Sequence, residues 1–295
     1  MQQIKQGIYY EDGYLGVTLG ALVLPFGTIL IDAPLKPEDA RSWRSSLINQ
    51  RGGTNRVLVC LDAHIDRTLG ARTMECTIIA QQKAAQIFRN RPTIFKGQGF
   101  ENGAEWETYL DVIGTRWATP DITFTDCLEL HWGGPKVLVE HHPGPSFGAS
   151  WVIIPEEEIV FVGDAIVLNQ PPFLANADLI PWIDNLNLLA TKFASYLVIS
   201  GRGGLVPNEI VRAQHKSLKF ILKGMERLAK RNAPPENTES LINNILEDSG
   251  FSAEKTEQFA QRLHTGLYQY YVRHYRPMSQ LEEDNLDGNG DFMHG

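Results

Sequence analysis

Short apolar runs separated by turn residues fill the first two-thirds of this chain. Residues 17–24 and 28–32 are two such runs on either side of Pro25-Phe26-Gly27, and they predict a hairpin of two buried strands. Residues 56–61, with the sequence Arg-Val-Leu-Val-Cys-Leu, are apolar and β-branched enough to predict a fully buried strand. The same pattern predicts further strands at 77–80, 122–124, 128–132, 136–140, 149–154, 159–162 and 196–200.

Helical segments alternate with these strands. Residues 37–49 begin with a proline and two acidic residues, which favour a helix start. Residues 81–90, 105–112 and 182–189 also predict helices. Strands followed by a helix and another strand, in each half of this region, predict two mixed β-sheets face to face with helices outside.

Helical periodicity replaces the strand pattern from Pro207 onward. Apolar residues at helical spacing predict a helix at 208–231, and two more helices are predicted at 239–246 and 252–271. The last residues are polar, acidic and rich in glycine, which predicts disorder. The chain therefore divides into a sandwich at 1–206, a helical appendage at 207–277 and a disordered acidic tail at 278–295.

Composition narrows the class of protein. The chain has 295 residues, of which 43% are hydrophobic and 21% are charged, as in ordinary globular proteins. No apolar run is long enough to span a membrane, and the first residues lack the basic-then-apolar pattern of a secretion signal. Cys60, Cys76 and Cys127 lie in apolar contexts, which indicates reduced thiols and predicts a cytoplasmic protein. The formal net charge of −8 argues against nucleic acid as a partner, whereas a few arginines suffice for a small anionic ligand; the oligomeric state stays open.

The segment that follows the predicted strand at 56–61 carries a cluster of charged side chains. Asp62, His64 and Asp66 stand at alternate positions, and Arg67 adjoins them. Alternate spacing at a strand end lets several side chains converge on one point, and open α/β folds place their chemistry in such loops. We therefore expect a functional site here.

Five segments, taken in order, resemble the metal-binding motifs of the metallo-β-lactamase superfamily. They are Asp32 after an apolar run; Asp62, His64, Asp66 and Arg67; Gly144-Pro145-Ser146-Phe147-Gly148; Gly163-Asp164; and Ser200-Gly201-Arg202-Gly203-Gly204. The resemblance covers the part of the chain in which strands are predicted. It implies an α/β fold, the αββα metallo-β-lactamase-like sandwich, here with a C-terminal helical appendage. It also implies zinc hydrolysis, which is the commonest activity of that superfamily.

The chain departs from the superfamily pattern at the metal ligands. By the resemblance, the ligand positions of the two metals correspond here to Asp62, His64, Pro145, Asp66, Arg67, Arg202 and the bridging Asp164. Arginine and proline side chains offer no lone pair to a metal, so three of these seven positions cannot coordinate. We expect the dinuclear zinc site to be eroded and standard zinc-hydrolase activity to be weak or absent.

In one interpretation, arginines replace the second metal. The hypothesis is that the guanidiniums of Arg67 and Arg202 pair with Asp66 and Asp164, because a planar and permanently charged fork suits carboxylates. Such a protein would be a pseudoenzyme with a ligand-binding or structural role, and its arginines would suit a small anionic ligand. No catalytic residue is assigned in this interpretation.

In the alternative interpretation, the protein is a hydrolase or lyase that uses a single divalent metal, such as zinc, iron or manganese. The ligands would be Asp62, His64 and Asp164, with a neighbouring histidine in place of the one lost at Pro145. Charge leaves both interpretations open, because two arginines face three aspartates, and either a protonated His64 or a metal ion would balance them. The side chains expected around the cluster are Asp32, His141 and His142.

Residues 144–148 also spell Gly-x-Ser-x-Gly, the pattern of a nucleophile elbow. That motif requires a helix after its serine. Residues 149–154 predict a strand instead, so we do not expect Ser146 to be a nucleophile.

Overall fold

Two β-sheets lie face to face in the computed structural model, which describes residues 1–50, 52–97, 107, 109–247, 250–251 and 253–276. The first sheet has seven strands in chain order: β1 (Gln2–Lys5), β2 (Ile8–Tyr14), β3 (Val17–Leu24), β4 (Gly27–Ile31), β5 (Asn55–Cys60), β6 (Thr77–Gln81) and β7 (Ile122–Phe124). The second sheet has six strands: β8 (Cys127–Leu130), β9 (Val137–His141), β10 (Ser150–Ile154), β11 (Ile159–Gly163), β12 (Leu197–Ser200) and β13 (Gly204–Val206). Their spatial order is β13-β12-β11-β10-β9-β8.

Both sheets are mixed, as predicted. Strands β4, β5, β6 and β7 pair in parallel, as do β11 and β12, whereas the other pairs are antiparallel. Every strand predicted from the sequence is present. A strand also follows Ser146, as the pattern at 149–154 predicts, so the helix that a nucleophile elbow requires is not there.

Helices cover the outer faces of the sandwich. They are α1 (Pro37–Ile48), α2 (Gln82–Asn90), α3 (Leu179–Thr191), α4 (Asn208–Lys230), α5 (Ile242–Glu247) and α6 (Thr256–Tyr275). Helix α1 begins as its sequence indicates, with Pro37 in the first turn followed by Glu38 and Asp39. The helix predicted at 105–112 appears only as a short 3-10 turn at Leu110–Val112, and the residues before it lie largely outside the described part of the chain.

Three apolar layers hold these elements together. Ile31, Val59 and Phe161 belong to the layer between the two sheets. Trp43 of α1 packs on the outer face of the first sheet, and Trp182 of α3 packs on the outer face of the second. The predicted αββα sandwich is therefore confirmed.

Helices α4, α5 and α6 form the predicted C-terminal helical appendage. Leu218, Ile245 and Tyr271, one from each helix, lie in the same apolar cluster as Trp151 of the second sheet, so these helices pack directly onto the sandwich. The division into domains stays a prediction, and the tail at 278–295 lies outside the described residues. Among the helices that the structure describes, none is long and apolar enough to cross a membrane.

The predicted site residues lie where four strands end. Asp32 follows β4, Asp62 lies just after β5, Asp164 follows β11 and Arg202 lies just after β12. The Asp32 carboxylate ties two of these ends together, because it accepts a hydrogen bond from the backbone N–H of Leu61 at 2.9 Å. Both sheets therefore contribute charged side chains to one edge of the sandwich.

Candidate functional site

Arg67 lies at the centre of this edge and has no exposed surface. Its Nη1 donates a hydrogen bond to Asp32 Oδ2 at 3.2 Å, and its Nη2 donates to Asp164 Oδ1. Its Nε lies 3.5 Å from Asp62 Oδ1. The predicted contact with Asp164 is present, but the predicted partner Asp66 is replaced by Asp32 and Asp62.

Arg202 contacts Asp164 from the other side. Its Nε donates to Asp164 Oδ1 at 2.9 Å and its Nη2 donates to Oδ2 at 3.1 Å. The same guanidinium donates to both carboxylate oxygens of Asp66 and, at 2.7 Å, to the backbone carbonyl of Gly16. Asp66 therefore forms its ion pair with Arg202 and not with Arg67.

His64 lies between two carboxylates. Its Nδ1 is 2.7 Å from Asp62 Oδ2 and 3.1 Å from Asp164 Oδ2. Ionised carboxylates only accept hydrogen bonds, so Nδ1 carries a proton. Burial alone would lower the pKa of His64, but the charges of Asp62 and Asp164 raise it to about 10. A protonated His64 therefore supplies the third positive charge, beside those of Arg67 and Arg202, against the carboxylates of Asp62, Asp66 and Asp164, and Asp32 is a fourth carboxyl in the network.

The buried aspartates differ in how firmly their charge is held. Burial raises the pKa of Asp32 to about 7, and Arg67 is the one cation that pairs with it in the described part of the chain. Burial alone would also raise the pKa of Asp164, but Arg202 and Arg67 hold it well below its usual range. Asp164 is thus the ionised centre of the network, and Asp32 is its least strongly compensated member.

Two glycines allow the backbone to approach the Arg67 guanidinium. A Cβ on Gly201 would lie 2.7 Å from Arg67 Nη2 and 2.8 Å from Nη1. Gly163 has a φ of 58°, in the left-handed region, and a Cβ there would lie 3.2 Å from Nη1. The backbone at the ends of β11 and β12 therefore forms a close-fitting cradle for this side chain.

This arrangement of donors does not fit a divalent ion. Asp62, His64 and Asp164 each offer one ligand atom, and these atoms lie within 4.8 Å of one another, which is close enough to hold one metal ion. A carboxylate has about four lone-pair sites, however, and those of Asp164 accept one contact from Arg67, two from Arg202 and one from His64. The proton on His64 Nδ1 removes another lone pair, and the two guanidiniums repel a cation.

The two histidines expected around the cluster lie outside this network. His141 Nε2 is 2.8 Å from the backbone carbonyl of Phe147. His142 lies 2.9 Å from Asn185 and 3.1 Å from Glu140. Both rings are held by these partners, and replacement of the lost third histidine by one of them stays a prediction. Asp32, the third residue of that set, does belong to the network.

Three residues near the site were not singled out by the sequence: Arg91, Phe173 and Arg262. The guanidinium carbons of Arg202 and Arg262 lie 4.5 and 3.9 Å from the centroid of the Phe173 ring. Arg262 comes from α6 and is 4% exposed, so the C-terminal helix reaches the site. Arg91 donates a hydrogen bond to the backbone carbonyl of Ala63, next to His64. These residues lie on loops or on a distant helix, where no local motif relates them to the charged cluster.

No family model matches this chain, and no curated protein matches it in sequence. Solved structures do match. A metallo-β-lactamase family protein from Thermus thermophilus superposes with a TM-score of 0.63 at 16% identity, and the match covers 92% of this chain and 94% of that one. The chain has the metallo-β-lactamase fold. Its five ordered motif segments fall at the strand ends where this fold was expected to place them.

Two other solved structures with the metallo-β-lactamase fold also match this chain. The metallo-β-lactamase from Pontibacter korlensis matches 74% of this chain and 97% of its own, with a TM-score of 0.55 at 17% identity. The stereoselective inverting sec-alkylsulfatase from Pseudomonas sp. matches 99% of this chain, with a TM-score of 0.64 at 13% identity. That match covers 52% of the alkylsulfatase, so this chain spans about half its length. At these identities the likeness concerns the fold alone.

Proposed function

We propose that this chain is a metal-free, anion-binding protein in which Arg67, Arg202 and protonated His64 take the place of the metal ions. The observation that carries the proposal is the occupancy of Asp164, whose carboxylate accepts both guanidiniums and the imidazole. Asp164 stands at the position that resembles the bridging ligand of a dinuclear centre. Its lone pairs are already used by the side chains around it.

The proposal includes the loss of zinc-hydrolase chemistry. A catalytic zinc lowers the pKa of its bound water to near neutrality and thereby supplies hydroxide. A guanidinium has no empty orbital for a water oxygen, and the donors of Arg202 are directed at Asp66 and Asp164. The network contains no group placed to generate a nucleophile, so the protein is a pseudoenzyme in this respect.

The network also has a structural role in this proposal. Arg67 joins Asp32 of the first sheet to Asp164 of the second, and both contacts are fully buried. The remaining surface of Arg202 and His64 faces a cavity of about 410 Å³. The charges of Arg202 and His64 are balanced within the network, so the positive charge that favours an anion over a cation comes from Arg91 and Lys96, which line the same cavity.

Metal content tests the proposal. Protein purified without chelator from cells supplied with zinc, iron and manganese should contain well below one divalent ion per chain, and a chelator should leave its thermal unfolding unchanged. The Arg67→His/Arg202→His variant is the positive control, because it restores two imidazoles beside Asp66 and Asp164. A stoichiometric ion in the wild-type protein would overturn the proposal.

A second candidate is a hydrolase or lyase with one divalent ion at Asp62, His64 and Asp164. The observation that favours it is the convergence of these three side chains within 4.8 Å. Zinc, iron or manganese binding there would require His64 to lose its Nδ1 proton and Asp164 to release a guanidinium. A metal that co-purifies with the wild-type protein and is lost in His64→Ala would select this candidate.

A further inference from the structure

An apolar cavity opens from the charged network. Its volume of about 410 Å³ is within the usual range of small-molecule sites. The rings of Phe95 and Trp117 line it and meet edge to face, with centroids 5.7 Å apart and planes at 89°. Phe173 and the partly exposed Phe147 line it as well. Such walls suit a flat, apolar body that can stack on aromatic rings.

Arg91 brings to this cavity a positive charge that forms no ion pair with a described carboxylate. Its guanidinium carbon lies 4.1 Å from the centroid of the Trp117 ring, and its two hydrogen-bond acceptors are neutral, the Thr68 hydroxyl and the Ala63 carbonyl. A guanidinium has five N–H donors, so three have no partner among the described residues. Burial lowers the pKa of Arg91 to about 10, and the charge of Asp62 opposes that shift, so the guanidinium is still protonated at neutral pH.

The other charges that line the cavity strengthen this excess. Asp66 is the one carboxylate among the lining residues that the structure describes, and Arg202 binds both of its oxygens. Lys96 lines the cavity without an ion pair to any described residue. The described part of the wall therefore carries net positive charge beside an apolar surface, and this combination attracts anions that also have apolar area to bury.

Two polar atoms at the cavity also lack partners. The Ser146 hydroxyl is buried without a hydrogen bond to any described residue, which is unfavourable for a polar group. The Nε2 of His64 likewise makes no hydrogen bond to a described residue, while Nδ1 is held by Asp62 and Asp164. Both residues line the cavity, so a ligand oxygen is a suitable partner for either.

We infer that the cavity binds an aromatic carboxylate, with the carboxylate on the free donors of Arg91 and the ring system against Trp117 and the neighbouring phenylalanines. Two adjacent N–H groups of a guanidinium match the two oxygens of a carboxylate, and a ring anchored there fills the apolar part of the cavity. This inference rests on the anion-binding part of the proposed function, and it adds the class of ligand and the residue that anchors it.

Titration calorimetry with 2-naphthoate and its uncharged analogue 2-naphthamide tests the inference. The wild-type protein should bind 2-naphthoate at least about tenfold more tightly than 2-naphthamide, and Arg91→Gln should remove that preference. Arg89→Gln is the matched control, because Arg89 is an exposed arginine in the last turn of α2, two residues before Arg91, and lies outside the cavity lining. Ala175→Phe, which narrows the cavity without changing a charge, should weaken the binding of both compounds, and thermal unfolding of each variant shows that it is folded.

Repeating the titration after chelator treatment separates the two proposals. Preference for 2-naphthoate that survives the chelator and depends on Arg91 supports both. Preference that the chelator abolishes would overturn the proposed function, because the anion would then be bound by a metal. A metal-free protein that does not distinguish the two compounds, or whose preference persists in Arg91→Gln, would overturn only the inference about Arg91 and the aromatic carboxylate.

Discussion

Replacing Arg67 with methionine tests whether the charged network stabilises the fold. Methionine fills a similar volume without charge, so the substitution removes the one cation that pairs with Asp32 in the described part of the chain. Breaking a buried pair from one side costs about 3–5 kcal/mol of unfolding free energy. We expect a value in that range because neither side chain has exposed surface.

The cost of Arg67→Met should grow with pH. The pKa of Asp32 is about 7 with Arg67 beside it, and without that cation the folded protein holds the proton to higher pH. Below that pKa, Asp32 is mostly neutral in both proteins. Above it, Asp32 of the wild-type protein is ionised in the folded and in the unfolded state. In the variant, Asp32 is protonated in the folded state and ionised in the unfolded state, so a proton is released on unfolding. The difference in unfolding free energy should therefore widen by up to about 1.4 kcal/mol per pH unit.

Urea unfolding followed by circular dichroism, at about pH 6 and about pH 8, measures both effects. Arg67→Met/Asp32→Asn should recover at least about 1 kcal/mol relative to the single variant, because it removes the unpaired carboxyl. Arg89→Gln serves as the control at an exposed arginine. A cost of about 1 kcal/mol or less, equal at both pH values and without recovery in the double variant, would refute the reasoning.

Two further predictions concern the same network. The free energy of unfolding of the wild-type protein should fall as pH rises from about 6.5 to about 10. The ordinary pKa of His64 is 6.5 and its pKa in the folded state is about 10, so over this interval the folded state binds a proton that the unfolded state has lost. Urea midpoints across that range should show the fall, His64→Gln should reduce it, and an unchanged slope in that variant would contradict the role of His64. Gly201→Ala should lower the unfolding free energy by about 1–3 kcal/mol, because its methyl group would lie 2.7 Å from Arg67 Nη2. An unchanged midpoint in thermal unfolding would contradict the close fit of the backbone around the Arg67 guanidinium.

The strand ends of the site could be predicted because each follows an apolar run. Residues 159–162 predicted the strand that appears as β11, and Asp164 follows it as expected. Strands β1 and β2 went unpredicted because most of their residues are at least partly exposed and neither contains a continuous apolar run; β1 is the edge strand of its sheet and β2 is its neighbour. Strand β13 was not predicted either, because its three residues are too few to show an alternation of apolar and polar side chains.

The choice of partners within the site could not be predicted in full. Asp66 and Arg67 are neighbours in sequence, yet Asp66 pairs with Arg202, 136 positions away. Which carboxylate an arginine reaches depends on the path of the backbone at the strand ends, and hydrophobic periodicity carries no information on that path. The same holds for Phe173 and Arg262, which come together only because α6 packs onto the sandwich.

The link between the two sheets also determines how the fold responds to its surroundings. Where a bound metal joins strand ends, the folded state gains stability by mass action, so its population rises and falls with the free concentration of that metal. Arg67, Arg202 and Asp164 belong to the chain and are present at fixed stoichiometry. In the metal-free protein that we propose, neither scarcity of an ion nor a competing chelator removes these contacts, and we expect the cavity they support to keep its shape in metal-starved and metal-replete conditions.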